Sequence, residues 1–332
     1  MKPGLWYKGG KGGIGMNTGL EYFLVLAQEG SISRAAQRLF VTQQSMSEQM
    51  KRLEEHYGTP LFVRRPRFAL TPAGQALLAT LRQIRVLEQG LEAQLDQICR
   101  QGGGPLRVGI HAARARVLLP GAVSRFRADC PQVELIFFHD DTQRFEQMLL
   151  NGELDLFLGV DPRPLEEFQY IPLAREPIRL AARRSLLCRR LGWEKPEEYP
   201  CLSAGDLEKL DFVFTHDRSN FQRKLDEFFR ARGIAPHRAL TVADAGLQLT
   251  LAAGGQEACF CPGLFLGQGR ALSALHPEDP LLFFPVEGLD CRSQLSLVLH
   301  QKSYRSPALH TFVEALKQEL EANRLWEEQP LP

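Results

Sequence analysis

The chain has 332 residues, 44% of them hydrophobic and 24% charged, with a formal net charge of +1. At about 100–200 residues per domain, this length predicts two or three domains with a sizeable core. No apolar run approaches the ~20 residues of a membrane span and no secretion leader is recognisable. The seven cysteines are odd in number and scattered, so reduced thiols in a cytoplasm are expected in place of a disulfide scaffold.

Residues 8–15 read Lys-Gly-Gly-Lys-Gly-Gly-Ile-Gly, superficially a phosphate-cradling loop. Met16 stands where the phosphate-gripping lysine belongs, and no strand precedes the glycines. Residues 1–15 are therefore read as a flexible tail, with Met16 a candidate translation start. Leu20, Phe23, Leu24 and Ala27 recur at helical spacing and give a first helix closed by Gly30. Ser31 or Ser33 caps a short second helix whose Ala35 and Ala36 permit a close crossing. Thr42 is a good cap for a third helix to about Tyr57, with Met46, Met50 and Leu53 facing inward. Its other face carries Gln44, Ser47, Glu48 and Lys51, with Gln43 at the flank near the helix N-terminus. A short helix, a tight turn and a polar-faced second helix form a helix-turn-helix arrangement, and glutamine is suited to adenine, lysine to guanine or phosphate.

Residues 58–71 then read as strand, basic turn, strand. Arg64, Arg65 and Arg67 project around Pro66, a wing placed to grip phosphates. No acidic residue occurs from His56 to Leu87, although five arginines do. Residues 20–78 resemble the DNA-binding domain of the LysR-type transcriptional regulators. The resemblance rests on Leu20-Glu-Tyr-Phe23, Gly30-Ser31, Ala35-Ala36 with Leu39, Gln43 with Ser47, Leu53-Glu54, Gly58-x-Pro60-Leu61-Phe62-x-Arg64 and Leu70-Thr71 with Gly74. Gln44 replaces the family's usual proline and Glu48 its frequent arginine, which leaves the operator sequence open.

Thr71-Pro72 starts a linker helix over 71–101. Leu77, Leu81, Ile84, Glu88, Leu91, Leu95 and Ile98 alternate spacings of four and three, a heptad seam that predicts a dimer contact. The Gly-Gly-Gly-Pro run at 102–105 ends it. Beyond lie strand and helix patterns in alternation: Leu106–Ile110, Leu118–Ala128, Val133–Phe138, Phe145–Leu150 and Leu154–Leu158. Phe212–Phe214, Phe221–Arg232, Leu240–Val242, Ala245–Ala253, Leu295–Leu299 and Ala308–Leu320 follow. This order predicts a parallel α/β sheet. Cys259 and Cys261 flank Phe260 and are read as a buried structural pair.

This half resembles the LysR effector-binding domain, on Leu106-Arg-Val-Gly109, Asn151-Gly-Glu-Leu-Asp155, Ala252-Ala-Gly254 leading to Pro262, and Ser306-Pro-Ala308. The resemblance implies a two-lobed α/β fold of the periplasmic-binding type over 105–325. Lobe one would comprise 105–178 and 293–325, and lobe two 179–292. The whole is thus mixed: a winged helix-turn-helix over 16–75, a linker helix, and the two-lobed domain. Ligands of such sheets lie at strand ends, where helix N-termini converge. The effector-binding candidates are His111, Arg114, Val160, Thr215, His216, Ser219 and Ala243, with Arg116 as a second cation. His111 stands where the family often has serine or threonine. With Arg114 close by, a small anionic effector is expected, its binding dependent on that arginine.

His111, His216, Asp161 and Asp244 are the set from which acid–base chemistry could be assembled, but no nucleophile motif or metal spacing accompanies them. No enzyme, cofactor or metal is expected. The expected partners are double-stranded DNA, the effector, further copies of the chain as a dimer or tetramer, and RNA polymerase, with no membrane.

Overall fold

The computed structural model describes residues 18–63, 68–100, 104–217, 219–290 and 292–324. The Gly/Lys tail, Met16 and the wing residues Arg64, Arg65 and Arg67 lie outside the described residues. The chain divides into two compact units, residues 1–94 with 150–152 and 302–304, and the remainder.

In the first unit α1 (Thr18–Glu29), α2 (Ile32–Arg38) and α3 (Gln43–Tyr57) precede a two-stranded wing, β1 (Phe62–Val63) and β2 (Ala69–Leu70), and all but the last turns of the long helix α4 (Pro72–Arg100). Gly30 takes φ +59°, a left-handed conformation that ends α1 at little steric cost. Ala35 and Ala36 are buried against α1 and α3, where a longer side chain would hold the helices apart. The Thr42 hydroxyl accepts the Ser45 N–H at 3.1 Å and caps α3. Met46, Met50 and Leu53 of α3 enter a core with Phe23, Leu26, Leu61 and Phe62. The Glu54 carboxylate accepts the N–H groups of Leu61 and Phe62 at 2.8 and 3.2 Å, tying the wing to α3. Phe62 pairs with Leu70 across the wing and stacks on Phe68.

One correction concerns α4. Leu81 is buried in this same core, with Leu77 packed beside it, so both face their own domain and leave the predicted seam. The apolar stripe that remains exposed on α4 is Ile84, Leu87, Leu91, Leu95 and Ile98. Leu87 was not in the expected set.

The second unit has two lobes sharing one long strand. Lobe one contains β3 (Leu106–Ile110), α5 (Ala112–Asp129), β4 (Leu135–Phe138), α6 (Thr142–Leu150) and β5 (Leu156–Val160). Then β6 (Phe168–Arg183) leaves it for lobe two, which holds α7 (Arg184–Leu191), α8 (Ala204–Leu207), β7 (Asp211–Thr215), α9 (Asn220–Arg232) and β8 (His237–Val242). It continues with α10 (Ala245–Ala252), β9 (Ala258–Pro262), α11 (Leu266–Ala274) and β10 (Leu281–Phe284). β11 (Arg292–His300) and α12 (Pro307–Ala322) return to lobe one.

The strand order is β4-β3-β5-β11-β6-β9-β7-β8, with β10 also on β6. β11 pairs with β6 over Phe168–Pro177, whereas β9 and β10 pair with its second part, Ile178–Arg183. The strand therefore changes lobes between Pro177 and Ile178. The parallel pairs β3/β4, β3/β5, β7/β8 and β7/β9 point their carboxyl ends the same way within each lobe. Each lobe has its own core, and a third cluster of Ala113, Val213, Leu249, Cys259, Cys261 and Phe265 underlies the space between them. Cys259 and Cys261 are wholly buried there. Burial pushes both thiols far above the ordinary cysteine value, and the neighbouring Cys259 and Glu176 push Cys261 further. Both are inert packing groups at neutral pH.

Candidate DNA-reading face and effector cavity

The outer face of α3 presents Thr42, Gln43, Gln44, Glu48 and Lys51 exposed and Ser47 half-buried. Met46, Met50 and Leu53 fix this orientation, because they occupy the opposite side of the same helical wheel. Glu48 pairs with Arg52 at 2.8 Å and Lys51 with Glu55 at 3.6 Å, each one turn along. Glu48 is thereby held as an acceptor with its charge partly offset, while Gln43 and Gln44 keep their amides toward solvent at the helix N-terminus. The two glutamines have the donor–acceptor pair that matches adenine in a major groove.

Between the lobes lies a cavity of about 320 Å³, lined by all seven expected residues, His111, Arg114, Val160, Thr215, His216, Ser219 and Ala243. The volume suits a small metabolite. Four helix N-termini converge on it, those of α5, α6, α9 and α10. Three are capped from within. The Asp141 carboxylate accepts the Arg144 N–H at 2.9 Å, Ser219 accepts from Gln222, and Asp244 accepts from Gly246 and Leu247 at 2.8 and 2.9 Å. At α5 the first intrahelical bond runs from Ala115 N–H to the His111 carbonyl, and the His111 side chain makes no cap bond. The N–H groups of Ala112, Ala113 and Arg114 precede that bond and face the cavity end of the helix.

Arg114 requires a correction. It is not a free cation awaiting a ligand: its Nη2 donates to the Glu176 carboxylate, both side chains are buried, and the guanidinium lies 5.5 Å from the Phe265 ring centroid. The other Glu176 oxygen accepts the Leu264 N–H at 3.1 Å. Arg114 Nη1 remains buried without a hydrogen-bond partner, as does His216 Nδ1. Glu176 left no signal in the sequence, because its partner is 62 positions away and its neighbours are Arg175 and Pro177. Arg116 lies away from the cavity lining, largely exposed, and pairs with Asp244 at 3.4 Å.

His111 is held neutral. Burial chiefly, then the Arg114 charge, lowers its pKa from 6.5 to about 4, against the raising effect of Asp141. Its Nε2 lies 3.1 Å from the Thr142 hydroxyl. Thr215 is already engaged, its N–H and hydroxyl both directed to Gln222 Oε1. The cavity also includes His139, Asp140, Asp141 and Thr142, which follow β4, and Asn220, Phe221, Asp244, Pro262 and Phe265. The β4 loop could have been found by applying the strand-end rule to Phe138. Pro262 and Phe265 had no such pointer. Asn220 Nδ2 crosses from lobe two to donate to the carbonyls of Val160 and Asp161 at 2.8 and 3.1 Å. Lys224 joins it with an ion pair to Asp161 at 2.8 Å.

A helix-turn-helix unit followed by a two-lobed α/β domain with an interlobe cavity defines a ligand-responsive DNA-binding regulator. Family models agree. Residues 18–75 match the bacterial regulatory helix-turn-helix protein of the lysR family, and residues 100–321 match the LysR substrate binding domain. The chain belongs to the LysR family of transcriptional regulators, which bind DNA through the first domain and a small-molecule effector through the second. It is similar to the uncharacterised HTH-type transcriptional regulator YcgK of Bacillus subtilis, 24% identical over 317 residues, 91% of this chain and 94% of that one. Among solved structures it is similar to a full-length OxyR variant from Pseudomonas aeruginosa, with a TM-score of 0.58, 21% identity, and coverage of 94% of this chain and 96% of that one. A second is full-length CbnR complexed with its target DNA, with a TM-score of 0.51, 23% identity, and coverage of 92% and 100%. Among the described residues no helix is long and apolar enough to cross a membrane, and no cluster of histidine, cysteine and acidic residues is arranged to hold a metal.

Proposed function

We propose that this chain regulates transcription without catalysing a reaction, acting in the cytoplasm as a homo-oligomer on double-stranded DNA, with RNA polymerase as a further partner. The outer face of α3 reads base edges, and Arg64, Arg65 and Arg67 of the wing hold the backbone. A small anion in the interlobe cavity is the effector. The observation that carries the anion reading is the uncapped α5 N-terminus beside the unpartnered Arg114 Nη1. An acceptor placed there satisfies several buried donors at once and meets the positive end of the helix dipole. Because Glu176 already neutralises the guanidinium, a single carboxylate fits this seat better than a multiply charged group.

A thermal-shift screen of metabolites tests the reading. At a hundredfold excess over Kd a ligand adds about 2.7 kcal/mol, which for a domain of this size is a rise of roughly 5–10 °C. The stabilising compounds are expected to be monoanions. Their effect should shrink at least tenfold in apparent affinity in Arg114→Lys, which keeps a cation beside Glu176 but removes the forked donor. A cationic or uncharged stabiliser, or an unchanged response in that variant, overturns the anion reading.

A further inference from the structure

Phe40 is the most exposed large apolar residue among those described, at 86% of its full accessibility, and it lies in the turn between α2 and α3. Its backbone is also unusual, with φ +56°; among the described residues only one other non-glycine residue, Asp161, is positive. A bulky side chain is disfavoured in that left-handed region, where glycine or asparagine is the ordinary choice. Two penalties therefore coincide at one residue, an unburied ring and a strained backbone. The conformation has a geometric consequence. Leu39 and Val41 on either side pack on the helical core, while Val41 N–H donates to the Ala36 carbonyl at 3.0 Å and holds the turn tight. The left-handed residue between them turns its ring outward.

Phe40 precedes the Thr42 cap by two residues, at most about 7 Å of chain, and the exposed Gln43 and Gln44 follow that cap directly. The N-terminus of a recognition helix is the end that enters the major groove. The thymine C5-methyl is the apolar feature of that groove, and aromatic and aliphatic side chains contact it. We infer that Phe40 is a base-reading residue, packing its ring on a thymine methyl at the flank of the bases that Gln43 and Gln44 address. This rests on the reading of α3 as the base-reading helix, and it adds an apolar element of specificity to a face otherwise polar.

The test uses the full chain and a duplex selected by it from a random-sequence pool. Each thymine is replaced singly by deoxyuridine, which removes the methyl and leaves the hydrogen-bonding edge unchanged. For the wild type, one replacement per half-site is expected to weaken binding about fourfold, the weight of one buried carbon. Phe40→Ala and Phe40→Asn are expected to lose the same affinity and to become indifferent to that replacement. Because asparagine suits the left-handed backbone, Phe40→Asn should unfold no earlier than the wild type, so a loss of binding cannot be assigned to misfolding. The inference is overturned if Phe40→Asn binds the selected duplex as tightly as the wild type, or loses affinity equally for selected and random duplexes. A Phe40→Asn variant that still senses the methyl, or changes only its oligomeric state, overturns it too; the last result would assign the ring to a contact between copies. Gln44→Ala run alongside separates the two readings. If it loses specificity while the Phe40 variants do not, α3 reads bases without Phe40, and if neither does, the reading of α3 itself falls.

Discussion

Arg114 and Glu176 illustrate how a buried ion pair constrains the chemistry available to a cavity. Neither charge would survive burial alone, and each is retained because the other lies against it. Arg114→Ala leaves the Glu176 carboxylate buried without its cation, so that variant is expected to lose about 3–5 kcal/mol of stability in urea unfolding. Exchanging both partners, Arg114→Met with Glu176→Leu, should lie within about 2 kcal/mol of the wild type yet give no thermal shift with an anion. A double variant as unstable as Arg114→Ala would contradict this account. His111, in contrast, enters the folded state uncharged. Its pKa falls from 6.5 to about 4 on folding, so between those values the unfolded chain binds a proton that the folded chain does not. The stability contributed by neutral His111 is complete above pH 6.5 and is lost progressively as pH falls to about 4. His111→Gln should flatten that part of the pH–stability curve, and an unaltered slope would show that other groups carry it.

At the scale of elements, α4 divides into two functions along its length. Its 29 residues extend about 43 Å, and the first turns are committed to the helix-turn-helix core through Leu77 and Leu81. Only the later turns expose the stripe of Ile84, Leu87, Leu91, Leu95 and Ile98, the surface available to a second copy. Leu91→Asp with Leu95→Asp is expected to lower the assembly mass in sedimentation velocity while the helical circular dichroism is kept. Leu81→Asp should instead unfold the N-terminal unit, since even truncation of a buried leucine costs about 2–5 kcal/mol. An unchanged mass for the double variant would place the interface elsewhere. Heptad spacing alone could not separate these halves, because a residue facing its own domain and one facing a partner copy have the same period. Caps were more readable. Thr42 at α3 and Thr71 at α4 act through hydroxyls on N–H groups three residues on, a contact contained within a few residues of sequence. The start of α5 was less readable. The amphipathic signal begins at Leu118, while the helix begins at Ala112 and continues through Pro120.

For the whole molecule, the connection between the lobes has mechanical significance. β6 runs through both, and the chain returns along β11, so the lobes are joined by two strands that can flex together. Asn220 and Lys224 fasten lobe two to Val160 and Asp161 of lobe one at the cavity edge. A ligand filling the cavity therefore acts on the same lobe separation that these bonds set. β6 escaped sequence reading because Pro172 and Pro177 interrupt it. Both are tolerated at irregular places: Pro172 pairs at the register shift beside Ser296, and Pro177 stands at the end of the β11 pairing.

The sequence by itself determined the family, the order of domains and four of the loops that line the cavity, but not the loop after β4. Each of these depends on local patterns, whether turn residues, caps, hydrophobic periods or a motif in register. It also placed Gln44 on the outer face of α3 with Gln43 at its flank, since three buried side chains define the opposite face. Tertiary structure alone decided the electrostatics. That Arg114 meets Glu176, that His111 is neutral, that Leu81 turns inward and that Phe40 stays outside follow from contacts between residues distant in the chain or from burial. Charge and exposure depend on neighbours in space, and no spacing along the sequence encodes them.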